Sequence, residues 1–173
     1  MATSLYDFSV ANYLQTLTGV ANVLDKGLKH LTATGRDPDE FVGVRLAEDM
    51  LPFQFQIASV VHHSLGAIEG VKSGVFRPPG ALHPETYADL QAKVANTASA
   101  LRALDAAEVN ALAGKDVVFH IGQAQMPFVA EGFILSFSLP NFYFHATTAY
   151  DILRTHGAPL GKRDFMGPPR MKG

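Results

Sequence analysis

The chain is 173 residues long, 47% hydrophobic and 17% charged, which suits one compact domain with a sizeable core and argues against disorder. Its 14 Lys and Arg against 16 Asp and Glu give a formal net charge of -2, so no global basic field exists to attract nucleic-acid phosphates or anionic lipid. The absence of cysteine excludes disulfides, thiolate metal sites and cysteine nucleophiles. A cytoplasmic protein is expected, because a reducing compartment suits the composition, "MATSLYDF" lacks the regions of a signal peptide, and no apolar run approaches the ~20 residues of a membrane span.

In chain order, Val10, Leu14, Leu17, Ala21, Leu24, Leu28 and Leu31 recur at alternating steps of four and three, which predicts one face of a long first helix. "TGRDPDE" has the composition of a connection. A second helix is expected to begin near Phe41 to Asp49 and run to about Gly70, with a bend at Pro52 where a backbone donor is missing. "SGVFRPPGALHPET" reads as an irregular surface loop, with Pro84 in the first turn of a third helix carrying Tyr87, Leu90, Val94, Thr97, Leu101 and Leu104 on one face.

From Lys115 to Ser138 the β-branched and aromatic residues around Gly122 and Pro127 predict a short hairpin, although part of "EGFILSF" also suits the final helix. Ser138 is expected to cap that last helix, with Pro140 in its first turn and Gly157 followed by Pro159 as its stop. A flexible tail is expected from about residue 160 to 173. The expectation is therefore an all-α, up-down four-helix bundle with a small β-hairpin before the last helix, in a single domain.

Asp49, Phe53, Gln56, Val60 and His63 share one face of helix two, as do Asn141, His145, Thr148 and Ile152 in helix four. Polar groups on stripes that meet other helices must be satisfied by hydrogen bonds or line a cavity. His145, Asp49, Gln56 and Asn141 are the candidate catalytic set, because histidine titrates near neutral pH and the other three can orient it or a ligand. Tyr150 and Arg154 are rotated away from His145 and are expected to lock helix four to its surroundings. His62 and His63 project about 100° apart, so at most one belongs to an interior site.

"RLAEDMLPFQFQI", "LPNFYFHATTAYDILRTHG" and "LGKRDFMG" resemble the family known as domain of unknown function 1993. The resemblance implies a place among the DinB/YfiT-like metalloenzymes, which are four-helix bundles that often hold a divalent metal through three histidines. It also implies a homodimer. The metal reading uses His63 and His145 with a divalent ion such as Zn or Ni, but the position one turn after His145 is Ala149, which supplies no ligand.

Three functions compete: a small-molecule enzyme or binding protein with a polar interhelical pocket centred on His145, a metal-dependent hydrolase or transferase, and a non-catalytic helical dimer. A small-molecule ligand is the expected partner, with neither nucleic acid nor membrane. The chain contains no GxxxxGK[ST] or GxGxxG loop, no HExxH and no GxSxG, so nucleotide chemistry and serine hydrolysis have no motif to rest on. His145 is expected to face helix two in a metal-free site with Asn141 and at least one of Asp49, Gln56 and His63.

Overall fold

A computed structural model describes residues 3–81 and 83–172. After the single turn α1 (Leu5–Phe8), α2 spans Val10–Ala33. Its buried stripe is Val10, Tyr13, Leu17, Val20, Leu24, Gly27 and Leu31. Leu14, Ala21 and Leu28 lie only on the flank of the core, so the helix is rotated slightly from the leucine face read in the sequence. Tyr13 takes the centre because its ring fills more core volume and its hydroxyl finds a buried partner, Ser138 Oγ at 2.8 Å.

Helix two departs from expectation at its start. A short α3 (Pro38–Phe41) is followed by an irregular connection, and α4 begins only at Phe53. Pro52 is its N-cap, at φ -70° and ψ 170°, rather than a bend within a longer helix. Proline is tolerated at a helix start because the donor it lacks has no intrahelical acceptor there. α4 runs to His62 and α5 covers Leu65–Ser73. At the break between them, Ser64 Oγ donates to Val60 O at 2.8 Å and competes with the backbone ladder.

The predicted loop contains a two-residue strand, β1 (Val75–Phe76), and Leu82 within it lies outside the described residues. α6 (Tyr87–Arg102) starts at a capping box between Thr86 and Asp89, three residues past Pro84. Such a box contributes about 1 kcal/mol. After α7 (Ala106–Asn110), β2 (Asp116–Ile121) and β3 (Ala124–Val129) form the expected antiparallel hairpin. β1 pairs with β2 in parallel, making a three-stranded sheet of order β1-β2-β3. Pro127 is accommodated because β3 is an edge strand, where a missing donor breaks no ladder on its open side.

The last long helix starts earlier than Ser138. α8 (Ala130–Phe133), a π turn at Ile134–Ser138 and α9 (Leu139–Thr155) follow without interruption. Ser138 is helical, at φ -68° and ψ -50°, and caps nothing. The Leu139 N–H bonds to Ile134 O, five residues back. This wider turn gives room to the Pro140 ring, which would otherwise press on the carbonyl of the preceding turn. The helix ends as predicted, with Gly157 at φ 94°.

The long helices α2, α4, α6 and α9 surround one core, with packed contacts between α2 and α6, α4 and α6, α4 and α9, and α2 and α9. No described helix is long and apolar enough to cross a membrane.

Within the expected tail, residues 162–166 are docked and Gly173 lies outside the described residues. α10 (Lys162–Met166) packs on α2, and Asp164 pairs with Lys26 at 2.6 Å while receiving Asn22 Nδ2 at its carbonyl, 3.1 Å away. Phe165 also meets the Tyr150 ring. Gly19 makes the approach feasible, since a Cβ there would stand 1.8 Å from Phe165 O. Gly19→Ala is therefore expected to undock α10 at a cost of about 1–3 kcal/mol. Trypsin cleavage at Lys162 and Arg163 should become faster in the variant; an unchanged rate would mean that the close approach is unimportant.

Candidate functional site

The side chains meet where α4 packs on α9, beside the π turn. Phe53, Gln56, Val60 and His63 all point into the protein, as their spacing on helix two predicts. Gln56 is only 2% exposed and joins two elements. Its Nε2 donates to Leu51 O at 2.8 Å, and its Oε1 lies 2.8 Å from His145 Nδ1.

These contacts fix a tautomer. A carbonyl only accepts, so Leu51 O assigns the amide nitrogen of Gln56 and turns the amide oxygen toward His145. That oxygen also only accepts, so His145 Nδ1 carries the proton and Nε2 presents a lone pair. Burial lowers the His145 pKa to about 4, leaving the ring neutral at physiological pH.

His63 is parallel to His145 within 16°, with ring centroids 6.1 Å apart. Its pKa falls to about 3, first through burial and then through the neighbouring His62 and His145. His63 Nδ1 is buried without a hydrogen-bond partner among the described residues. Phe55, Phe76, Phe137 and Phe144 supply aromatic surroundings to the two histidines. Behind them, Tyr13 Oη donates to Ser138 Oγ, which donates to His63 O at 2.7 Å. The π turn thus places Ser138 where it holds the end of α4.

Other candidates lie elsewhere. Asp49 is exposed in the connection before α4, because that segment is not helical and the four-three spacing does not extend to it. Asn141 is half-buried and donates to Phe137 O at 2.8 Å, one turn back on its own helix. Tyr150 Oη donates to Leu160 O at 3.4 Å and Arg154 Nη1 to Ala158 O at 3.3 Å. Both bonds tie α9 to the chain that follows it. Leu51 contributes a backbone carbonyl, which carries no side-chain signal in the sequence.

The donor set does not fit the metal centre implied by the fold family. Two imidazoles meet, the Gln56 amide oxygen is already used by His145, and Ala149 occupies the position one turn on. No group of three His, Cys, Asp or Glu side chains is arranged to hold a metal ion among the described residues.

The family described as "Domain of unknown function (DUF1993)" matches residues 5–166. No curated protein matches significantly. Among solved structures, the crystal structure of a DinB family member protein from Shewanella denitrificans is similar to this chain with a TM-score of 0.81 and 24% identity, covering 98% of this chain and 95% of that one.

Proposed function

For this chain, which belongs to the DUF1993 family, we propose a small-molecule binding protein or enzyme whose ligand docks on His145 Nε2, within a DinB-like up-down bundle. One observation carries this reading: the relay from Leu51 O through Gln56 to His145 Nδ1. It holds one neutral tautomer in which Nε2 accepts a hydrogen bond or a proton. A buried network needs only the bond at Nδ1; what favours a ligand is Nε2, whose lone pair the relay leaves unused.

The environment narrows the chemistry. With a pKa lowered to about 4 by burial, His145 is neutral at physiological pH and enters any reaction there as an acceptor. It is also a weaker base than an ordinary histidine, because base strength falls with pKa. Accepting a hydrogen bond is therefore its strongest capacity. Phe55 and the 57% exposed Phe144 flank its ring, which favours a ligand with an aromatic or aliphatic body and an uncharged O–H or N–H.

Phenol provides such a group for a test by NMR titration. Saturable shifts are expected at His145 and Phe144, with binding at least tenfold weaker in His145→Phe, a loss of about 1.4 kcal/mol. In Gln56→Leu, ring ¹⁵N shifts should show His145 redistributed between both tautomers. Phenol binding that survives His145→Phe, or a wild-type ring protonated on Nε2, would overturn the reading.

The same site is proposed to be metal-free. After growth with added Zn or Ni, the untagged protein is expected to hold less than about a tenth of an equivalent, because two imidazoles fall short of the usual three protein ligands. Near-stoichiometric metal lost in His63→Phe would instead establish the metal-dependent alternative.

A further inference from the structure

The adjacent histidines at the end of α4 project about 100° apart, with ring centroids 5.4 Å from one another. His63 turns inward to His145, whereas His62 lines an outer groove of about 360 Å³. His62 Nε2 lies 2.8 Å from Arg77 O. A carbonyl only accepts, so the proton sits on Nε2 and the lone pair on Nδ1. Phe76 stacks on the ring at 4.4 Å and holds its plane. His62 is thus fixed in place and in tautomer by contacts independent of the His145 relay.

Gly66 keeps that lone pair uncovered. A methyl group on Gly66 would stand 3.4 Å from His62 Nδ1, where the glycine leaves open space along the groove. Ala58, Leu65 and Pro79 supply apolar wall, and Glu69 supplies a carboxylate with no ion-pair partner among the described residues. Glu85 and Lys93 also line the groove, but they neutralise one another in an ion pair. His83 also lines the groove, and Arg77 lines an adjoining recess that shares His62, Gly66 and Glu69 with it. The groove therefore combines a fixed acceptor, an unpaired negative charge and an apolar wall, on a scale suited to a small organic molecule.

We propose that this groove binds a small primary or secondary ammonium with a compact apolar body, its N–H donated to His62 Nδ1 and its charge balanced by Glu69. This site is separate from the one at His145. The two histidines accept different ligand classes because Glu69 adds charge to one groove, while the surroundings of the other are aromatic and neutral.

Titration of the full chain with benzylammonium chloride, followed by amide NMR, tests the proposal. Saturable shifts are expected at Ala58, Gly66 and Glu69, with benzyl alcohol and benzoate at least about tenfold weaker. Glu69→Gln and Gly66→Ala should each weaken benzylammonium by a similar factor. Alanine is the better helix former, so Gly66→Ala should retain or raise the melting temperature while covering the lone pair. Phenol at His145 should be unaffected by either variant, which separates failure at one site from failure at the other. No saturable shift at tens of millimolar, equal binding of benzoate, or full binding by both variants would overturn the proposal.

Discussion

Lowering the pH from 7 to 4.5 is expected to destabilise the protein by about 2–3 kcal/mol through His63 alone. The folded pKa of His63 is depressed from 6.5 to about 3, so below 6.5 the unfolded chain binds a proton that the folded protein refuses. Stability from this group is complete above about pH 6.5 and is lost as pH falls toward 3, at about 1.36 kcal/mol per unit. His145 acts in the same direction but contributes less, because its half-buried ring is partly screened by solvent. Asp7, Asp89 and Asp164 also have lowered pKa values, each first through a side-chain hydrogen bond. Their window lies below 3.8, so they do not account for a loss between pH 6.5 and 4.5.

His63→Phe should reduce that dependence to the smaller part left by His145 and His62, whose pKa values burial also lowers. It removes a titrating group and an unpartnered buried nitrogen, while a ring remains to pack against Phe76 and Phe137. Replacing an unsatisfied polar group by an apolar one of similar shape is close to neutral or stabilising at pH 7. Urea unfolding at several pH values checks both statements. If the variant loses as much stability on acidification as the wild type, His63 is not the group responsible.

Phe142→Ala is expected to have the largest effect, about 3–5 kcal/mol. Its ring is fully buried and meets the Tyr13 ring edge-on at 5.0 Å. Deleting it leaves a cavity that the surrounding helices cannot close, beside the tyrosine whose hydroxyl reaches Ser138 and through it His63 O. A drop of roughly 10 °C in melting temperature should accompany the loss, and Phe142→Leu should recover more than half of it. Calorimetry showing less than about 1 kcal/mol for the alanine variant would place the core elsewhere.

The sequence by itself determined the helix faces and the ends set by local chemistry. The stripe of Tyr87, Leu90, Val94, Thr97 and Leu101 is buried as its spacing requires. Gly157 ends the last long helix because it adopts φ 94°, which other residues rarely adopt. Gln56, His63 and His145 could also be placed on facing stripes, since helical periodicity is a property of the chain alone.

Only the tertiary structure decided which polar groups meet and where the helices are interrupted. Asp49 matched the stripe in number, but Pro52 begins a new helix after an irregular connection and the residue is left in solvent. The π turn that makes room for Pro140 also turns Ser138 from an expected cap into the donor to His63 O. α10 docks on α2 because Gly19 permits close backbone approach, a contact between residues 146 positions apart that no local pattern encodes. The physical reason is the same in each case: side-chain spacing follows from helix geometry, whereas a backbone carbonyl or an inter-helix distance becomes a partner only after the core has packed.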